Sequence, residues 1–195
     1  MSGTYLFGYG SLISSESRAR TGYSGEAIPC VVKGVQRGWN MVVPEYKMTA
    51  VGATLNLHST CNGVIVPIQE TELPKFDKRE SGYHRSKVDR SNIKGINNQT
   101  IPKGSIWVYI PDEIQSPSLN NPIAQSYVDV IISACFDYGE DFARQFIKTT
   151  LNWDSPWIND RQNPRYPRAM SKVPLASKID SLLEQLIPTE FLQRN

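Results

Sequence analysis

The sequence changes character near Pro111, and this change constrains the fold more than any other feature. The segments before it are short and rich in β-branched and aromatic residues, as in TYLFGYG, CVVKGVQRGWNMVV, GATLNLH, CNGVIVPI and SIWVYIP. This pattern is typical of strands. The segments after it, YVDVIISACFDYG, EDFARQFIKTT and SKIDSLLEQLI, carry apolar residues at helical spacing. Strands followed by helices predict an α+β fold rather than a repeated βαβ array.

Composition excludes several classes of protein. The net charge of +2 gives no electrostatic reason to expect binding to nucleic acid or to an acidic membrane. Three widely spaced cysteines and two histidines predict neither a disulfide framework nor a metal site, and we expect no cofactor. No apolar run approaches the roughly 18 residues of a membrane span. The N-terminus lacks the pattern of a secretory signal, so we expect a cytoplasmic protein.

The segment YLFGYGSLI, residues 5–13, leads from a predicted strand into a loop with little side chain. Two explanations are open: glycine lets two backbones approach closely, or bare N–H groups form a cradle for an anion. The loop lacks the GxxxxGK(S/T) spacing of a phosphate-binding loop and the third glycine of a dinucleotide fingerprint. A nucleotide site would also need a cation near Gly10, for which Arg18 and Arg20 are the candidates close in sequence.

A second segment, FDKRESGYHRSKV at residues 76–88, places Glu80 at the end of a helix predicted over ETELPKFDKRE, just before a glycine and a strand. A carboxylate there faces the negative end of the helix dipole, which is an unfavourable place for a surface charge that has no function. Such a carboxylate binds a proton more readily, which suits a general base that works near neutral pH. The alternative is an ordinary solvated glutamate on the surface.

Taken together, YLFGYGSLI, GVIVPI and FDKRESGYHRSKV resemble the gamma-glutamylcyclotransferase superfamily. Members begin with a strand and a YGS(N/L) loop, and later carry a helix-borne glutamate that is followed by a tyrosine and an arginine. QSYVDVIISACFDYG is similar to the penultimate helix of the family, so the resemblance covers most of residues 4–142. The ordered pair of motifs is more specific than either motif alone.

The resemblance implies a mixed β-barrel flanked by helices, with a substrate pocket at its mouth. It implies a cyclotransferase-like barrel domain over residues 1–150, with a Trp/Pro/Arg-rich loop and a C-terminal helix, residues 151–195, packed on the same domain. Glu80 falls on the catalytic glutamate. The implied substrate-binding residues are Gly8, Tyr9, Gly10, Ser11, Leu12 and Tyr83.

The implied reaction is the cyclisation of a small gamma-glutamyl compound, whose α-amine attacks its own δ-carbonyl and forms 5-oxoproline. Because this attack is intramolecular, the enzyme needs no serine or cysteine nucleophile and no metal. The released group stays open among an amino acid, an amine such as an ε-lysine isopeptide, and the remainder of glutathione. The alternative is a non-catalytic member of the same fold that binds a small carboxylated ligand or a protein partner.

Two features fall outside the family pattern. Phe142 stands near the position where some members have a tyrosine, so either that substrate contact is lost or another group, such as Tyr138 or Tyr166, supplies it. The segment 152–170 is compatible with a lid or a surface that recognises the leaving group. Its alternative is a loop whose aromatic residues pack and whose arginines pair with acids. The residues concerned are Trp153, Trp157, Asp160, Arg161, Arg165 and Arg168.

Overall fold

The computed structural model describes residues 3–195, and it confirms the α+β class. The strands are β1 (Gly3–Gly8), β2 (Ile28–Val43), β3 (Met48–Ile68), β4 (Tyr83–Val88), β5 (Ile93–Gly95), β6 (Gly104–Pro111), β7 (Ile123–Ala124), β8 (Thr150–Leu151) and β9 (Trp157–Ile158). The helices are α1 (Ser15–Ala19), α2 (Leu73–Arg79), α3 (Gln125–Phe136), α4 (Glu140–Thr149), α5 (Ala176–Leu186) and α6 (Pro188–Leu192). Most of the strand residues therefore precede Pro111, and the longer helices follow it.

The chain forms two compact units. The first contains the residues up to Gln36 together with Ala53–Glu113, and the second contains Arg37–Gly52 and Ile114–Asn195. Strands β2 and β3 each begin in one unit and end in the other, because the unit boundaries fall inside them. The segments GATLNLH and CNGVIVPI, which the sequence suggests as separate strands, are parts of the single strand β3.

The sheet of the first unit has β1 near its middle, in the order β4-β6-β1-β3-β2-β5. Strand β1 is antiparallel to β3 and parallel to β6, and β4 is antiparallel to β6. Within residues 3–195 this path ends at β4 and β5, so the sheet is open and the predicted β-barrel is wrong. The end strand β4 carries His84, Arg85 and Lys87, and such charges protect an edge from further pairing.

The core of the first unit fixes the two segments that the sequence analysis singles out. Leu6 and Phe7 of β1 are buried, as expected for a strand with a neighbour on each side. Phe76 of α2 is fully buried, so the helix is anchored three residues before its last residue, Arg79. The end of β1 and the end of α2 are therefore both held by apolar packing.

The second unit is built on helices. Val128, Ile131, Ile132 and Cys135 of α3 are buried, as their helical spacing predicts. In α5 the predicted apolar stripe is buried at Ile179, Leu182 and Leu183. No helix in the described part of the chain is long and apolar enough to cross a membrane.

The segment 152–170 lies in this second unit and is packed. Trp153 and Trp157 are buried with ring centroids 5.2 Å apart, and Trp153 also contacts Trp39 at 5.0 Å. Arg161 pairs with two aspartates, Asp129 and Asp180. These contacts agree with the packing interpretation of the segment.

Candidate active site

The short helix that follows the glycine loop contacts the loop and fixes its backbone. After β1 the chain makes a 3-10 turn over Ser11–Ile13, and the side chain of Ser14 then caps α1 by accepting a hydrogen bond from the Ser17 N–H at 3.1 Å. Arg18 of α1 is buried and donates Nη1–H bonds to the carbonyls of Leu12 at 2.7 Å and Ile13 at 2.8 Å. Helix α1 therefore fixes the path of the loop.

The side chains of the loop are engaged within the protein. The Tyr9 hydroxyl donates to the carbonyl of Tyr109 at 2.6 Å, and Leu12 is buried. The Ser11 hydroxyl accepts a bond from Arg79 at 2.9 Å. The N–H groups of Gly10, Ser11 and Leu12 open the 3-10 turn, where a helical turn leaves donors without an intrahelical acceptor.

Gly8 has a packing role of its own. A Cβ atom at this position would lie 2.8 Å from the Leu12 Cβ and 3.1 Å from the Leu12 carbonyl carbon. The missing side chain thus lets the loop fold back onto the end of β1. Of the two explanations for the glycines, close approach of two backbones accounts for Gly8.

The arginines that a nucleotide site would recruit are already engaged. The Arg18 guanidinium binds the carbonyls of the loop itself, as described above. Arg20 forms a surface ion pair with Glu16 one helical turn away. Nucleotide binding at the glycine loop therefore gains no support from the structure.

Glu80 caps the C-terminal end of α2. Its N–H donates to the carbonyl of Phe76 at 2.9 Å, and its own carbonyl accepts from the Tyr83 N–H at 3.1 Å. Gly82, at φ 85°, supplies the left-handed conformation that reverses the chain into β4. The carboxylate is 17% exposed, and its Oε1 lies 2.9 Å from Nε of Arg79. The sequence therefore predicts the local position of Glu80 correctly.

Arg79 joins the two motifs. Its Nη2–H donates to the Ser11 hydroxyl, while its Nε faces Glu80, so one guanidinium connects the loop to the candidate base. In sequence Arg79 is a basic residue in the last turn of the helix predicted over ETELPKFDKRE, where a cation complements the helix dipole. No local pattern indicates its contact with Ser11, 68 residues earlier.

A second polar network flanks Glu80. The Tyr109 hydroxyl donates to Asp77 Oδ1 at 2.8 Å, and Arg85 Nε lies 3.0 Å from the same oxygen. Burial, the hydrogen bond to Asp77 and the charges of Asp77 and Glu80 raise the pKa of Tyr109 well above its usual value. The Tyr109 phenol is therefore a neutral donor within the electrostatic reach of Glu80. Sequence analysis had placed Tyr109 only in a strand.

The other predicted site residues are placed as follows. Tyr83 begins β4, half-buried, three residues after Glu80. Tyr138 and Tyr166, the suggested substitutes for a hydroxyl at position 142, both belong to the second unit. The Tyr138 ring packs on Phe142 at 5.2 Å, and the buried Tyr166 hydroxyl has no hydrogen-bond partner within residues 3–195. In the first unit the Tyr109 hydroxyl lies within the electrostatic reach of Glu80.

The sequence matches a family model over residues 6–128, which include both motifs. The family is described as "Gamma-glutamyl cyclotransferase, AIG2-like". No curated protein is similar enough in sequence to count as a relative.

Solved structures share the fold at low sequence identity. One named gamma-glutamyl cyclotransferase is 11% identical, with a TM-score of 0.59 over 91% of this chain and 98% of its own. The uncharacterized human protein loc79017 is 12% identical, with a TM-score of 0.56 over 94% of this chain and 99% of its own. YkqA from Bacillus subtilis is 17% identical, with a TM-score of 0.56 over 75% of this chain and 53% of its own. At these identities the likeness concerns the fold.

Proposed function

Because the chain belongs to the family "Gamma-glutamyl cyclotransferase, AIG2-like", we propose that it is an enzyme that cyclises a gamma-glutamyl group and releases 5-oxoproline. One observation carries the proposal beyond family membership. The Arg79 guanidinium contacts both the Ser11 hydroxyl of the glycine loop and the Glu80 carboxylate, so the two motifs of the sequence meet in one place.

In the proposed reaction the substrate supplies both the nucleophile and the electrophile. Its α-amine attacks its δ-carbonyl, a tetrahedral intermediate forms, and the original γ-amide C–N bond breaks. The α-nitrogen loses two protons and the departing nitrogen gains two, so the protons balance. Holding the two groups in a reactive geometry is worth on the order of 7–11 kcal/mol of the barrier.

Glu80 is the proposed base and acid. Its carboxylate accepts a proton from the α-ammonium and returns a proton to the departing amine. The Arg79 guanidinium lies against this carboxylate, with Nε 2.9 Å from Oε1. Partial exposure of the carboxylate, at 17%, is compatible with contact to a substrate.

The glycine loop is the proposed binding site for the amino-acid end of the substrate. In this role the N–H groups of Gly10, Ser11 and Leu12 hold the α-carboxylate, as N–H groups at the start of a turn bind anions. Gly8 and Tyr9 shape the loop through the packing and the hydroxyl bond described above. Tyr83, directly after Glu80 and its turn, is proposed to line the pocket.

The test is release of 5-oxoproline from a panel that contains a gamma-glutamyl amino acid, gamma-glutamyl-ε-lysine and glutathione. We expect wild-type protein to cyclise at least one compound and Glu80→Gln to lower that rate by about 100- to 10,000-fold, the usual contribution of a general acid–base. The matched control is Glu16→Gln, whose carboxylate is 64% exposed in a surface pair with Arg20. The control is expected to keep the wild-type rate.

Two other outcomes discriminate the alternatives. Equal rates for wild type and a folded Glu80→Gln would remove Glu80 from the mechanism. Absence of 5-oxoproline from every compound would favour the non-catalytic member of the fold, with Tyr9–Leu12 kept as a ligand loop. The compound cyclised fastest would identify the released group as an amino acid, an amine or cysteinylglycine.

A further inference from the structure

The Arg79 guanidinium makes four hydrogen bonds through its Nη atoms and one ion pair through Nε. Nη1 donates to the Ser17 carbonyl at 2.8 Å and to the Thr21 hydroxyl at 2.7 Å. Nη2 donates to the hydroxyls of Ser11 and Ser17, each at 2.9 Å. Nε lies 2.9 Å from Glu80 Oε1. The four Nη–H donors of this arginine are therefore all used, and its Nε faces a carboxylate oxygen.

This arginine is buried far more than an ordinary helix-end cation. Its side chain is 4% exposed, and removing a charge from water is costly unless its donors are satisfied. A helix-dipole contact would not require such burial. The contacts divide into two groups: Ser17 and Thr21 belong to the scaffold, whereas Ser11 and Glu80 belong to the candidate site.

We propose that Arg79 is a positioning residue, which fixes the Glu80 carboxylate relative to the glycine loop through its contacts to both. This inference rests on the proposed cyclisation. The guanidinium is a rigid planar fork, and Ser17 binds both of its Nη atoms from the scaffold side, so the places of Ser11 and Glu80 are set together. Arg79 itself touches no substrate atom in this role, because its side chain is buried and its four Nη–H donors are occupied.

The positions of loop and base matter because the reaction depends on geometry. A displacement of about 1 Å can cost roughly 100-fold in rate. A lysine at position 79 would retain the charge but offer three donors from a single nitrogen, too few to reach the five oxygens. Lysine is therefore expected to restore part of the rate and methionine none of it.

The experiment compares Arg79→Met, Arg79→Lys and Thr21→Val with wild type on the compound that wild type cyclises fastest. We expect kcat to fall about 100-fold in Arg79→Met with a smaller change in KM, and to recover about tenfold in Arg79→Lys. Thr21→Val removes one scaffold acceptor of the same guanidinium and leaves Ser11 and Glu80 untouched. This control is expected to lower Tm but to keep kcat and KM within about twofold.

Hydrogen–deuterium exchange is measured on the same proteins without substrate. Faster exchange in Arg79→Met confined to residues 8–14 and 79–83 supports the inference, even if wild type releases no 5-oxoproline and the proposed function fails. If wild type is active and Arg79→Lys or a folded Arg79→Met keeps its kcat, the inference is overturned while the proposed function stands. A fall in kcat that is equal in Thr21→Val and Arg79→Lys would also overturn it, because scaffold damage alone would then explain the loss.

Discussion

The two units each contain an arginine that is held by a network of oxygens, but the oxygens differ in kind. Arg161 in the second unit donates four hydrogen bonds to carboxylate oxygens, two on Asp129 and two on Asp180, at 2.7–2.8 Å. Arg79 in the first unit faces one carboxylate, and its other partners are neutral hydroxyls and a carbonyl. The Arg161 network thus contains two charged partners, whereas the Arg79 network contains one.

Their electrostatics differ accordingly. Burial disfavours the charge of Arg161, but the hydrogen bonds and charges of Asp129 and Asp180 outweigh it and raise its pKa above the usual range. Arg194 contacts Asp180 as well, so two cations balance two carboxylates. Asp129 is 1% exposed, whereas Glu80 is 17% exposed. Asp129 is thus sealed and doubly paired, whereas Glu80 pairs with Arg79 and is partly open to solvent.

The largest expected effect on stability comes from breaking the Arg161 network. Arg161→Met leaves Asp129 buried with Gln125 as its remaining hydrogen-bond donor, and such an uncompensated charge costs about 3–5 kcal/mol. We therefore expect a fall of that size in the free energy of unfolding, measured in urea. The kcat of the folded protein, measured below the new Tm, is expected to stay at the wild-type value.

The same variant is the strictest test of the distinction between the two networks. Arg161→Lys serves as its partner, since it keeps the charge and loses the two bidentate pairs. If the kcat of folded Arg161→Met dropped as far as that of Arg79→Met, Arg161 would also act on catalysis, and the separation into a structural and a functional arginine would fail.

A glycine in each unit provides the next contrast. Gly8→Ala would place a Cβ 2.8 Å from Leu12 Cβ and 3.1 Å from Leu12 backbone, which cannot move without shifting the loop. Gly38→Ala would meet the Leu151 Cβ at 3.3 Å, which is a longer and therefore milder contact than those at Gly8. We expect Gly8→Ala to cost about 1–3 kcal/mol in thermal or urea unfolding, and Gly38→Ala less than that.

The two glycine variants are also expected to differ in KM. Since Gly8 belongs to the proposed binding loop, Gly8→Ala is also expected to raise KM, whereas Gly38→Ala is expected to leave KM unchanged. A Gly8→Ala protein with wild-type stability and KM would show that the tight approach to Leu12 is dispensable. The loop would then have no demonstrated need for glycine at this position.

Sequence patterns predict what is local or shared by a family. The strand before the glycine loop, the serine cap of α1 and the place of Glu80 before a glycine turn all follow from short-range signals. The pairing of Glu80 with the loop follows from the resemblance to a family. The wrong expectation, a closed barrel, depends on long-range pairing between strand edges, and no local pattern reports whether β4 and β5 meet.

The supporting side chains are harder to foresee. Arg79 stands beside Glu80 in sequence, but its acceptors are Ser11, Ser17 and Thr21, which the fold alone brings to it. Tyr109 of β6 likewise acquires its partner Asp77 of α2 only in the fold, and the pairing of β6 with β4 places Tyr109 opposite Arg85. The best signal in the sequence was a basic residue directly before the glutamate. Such a residue has many ordinary explanations, so only the geometry distinguishes this one.

The smallest expected effect comes from a serine in each unit. Ser11→Ala removes one acceptor of Arg79 and loosens the loop from the guanidinium, at a cost of about 1 kcal/mol for the lost bond. Because the loop is proposed to hold the substrate carboxylate, we expect this loss to appear mainly as a rise in KM of about fivefold, the kinetic equivalent of that energy.

Ser126→Ala is the counterpart in the second unit, where the hydroxyl donates to Asp160 at 2.6 Å. Asp160 keeps its bonds from the N–H groups of Ser126 and Arg165, so the substitution costs about 1 kcal/mol of stability and leaves KM unchanged. Steady-state kinetics and urea unfolding of both variants separate the two roles. Equal changes in KM would mean that the bond between Arg79 and the Ser11 hydroxyl contributes nothing specific to substrate binding. Substrate binding by the loop would then depend on its backbone alone.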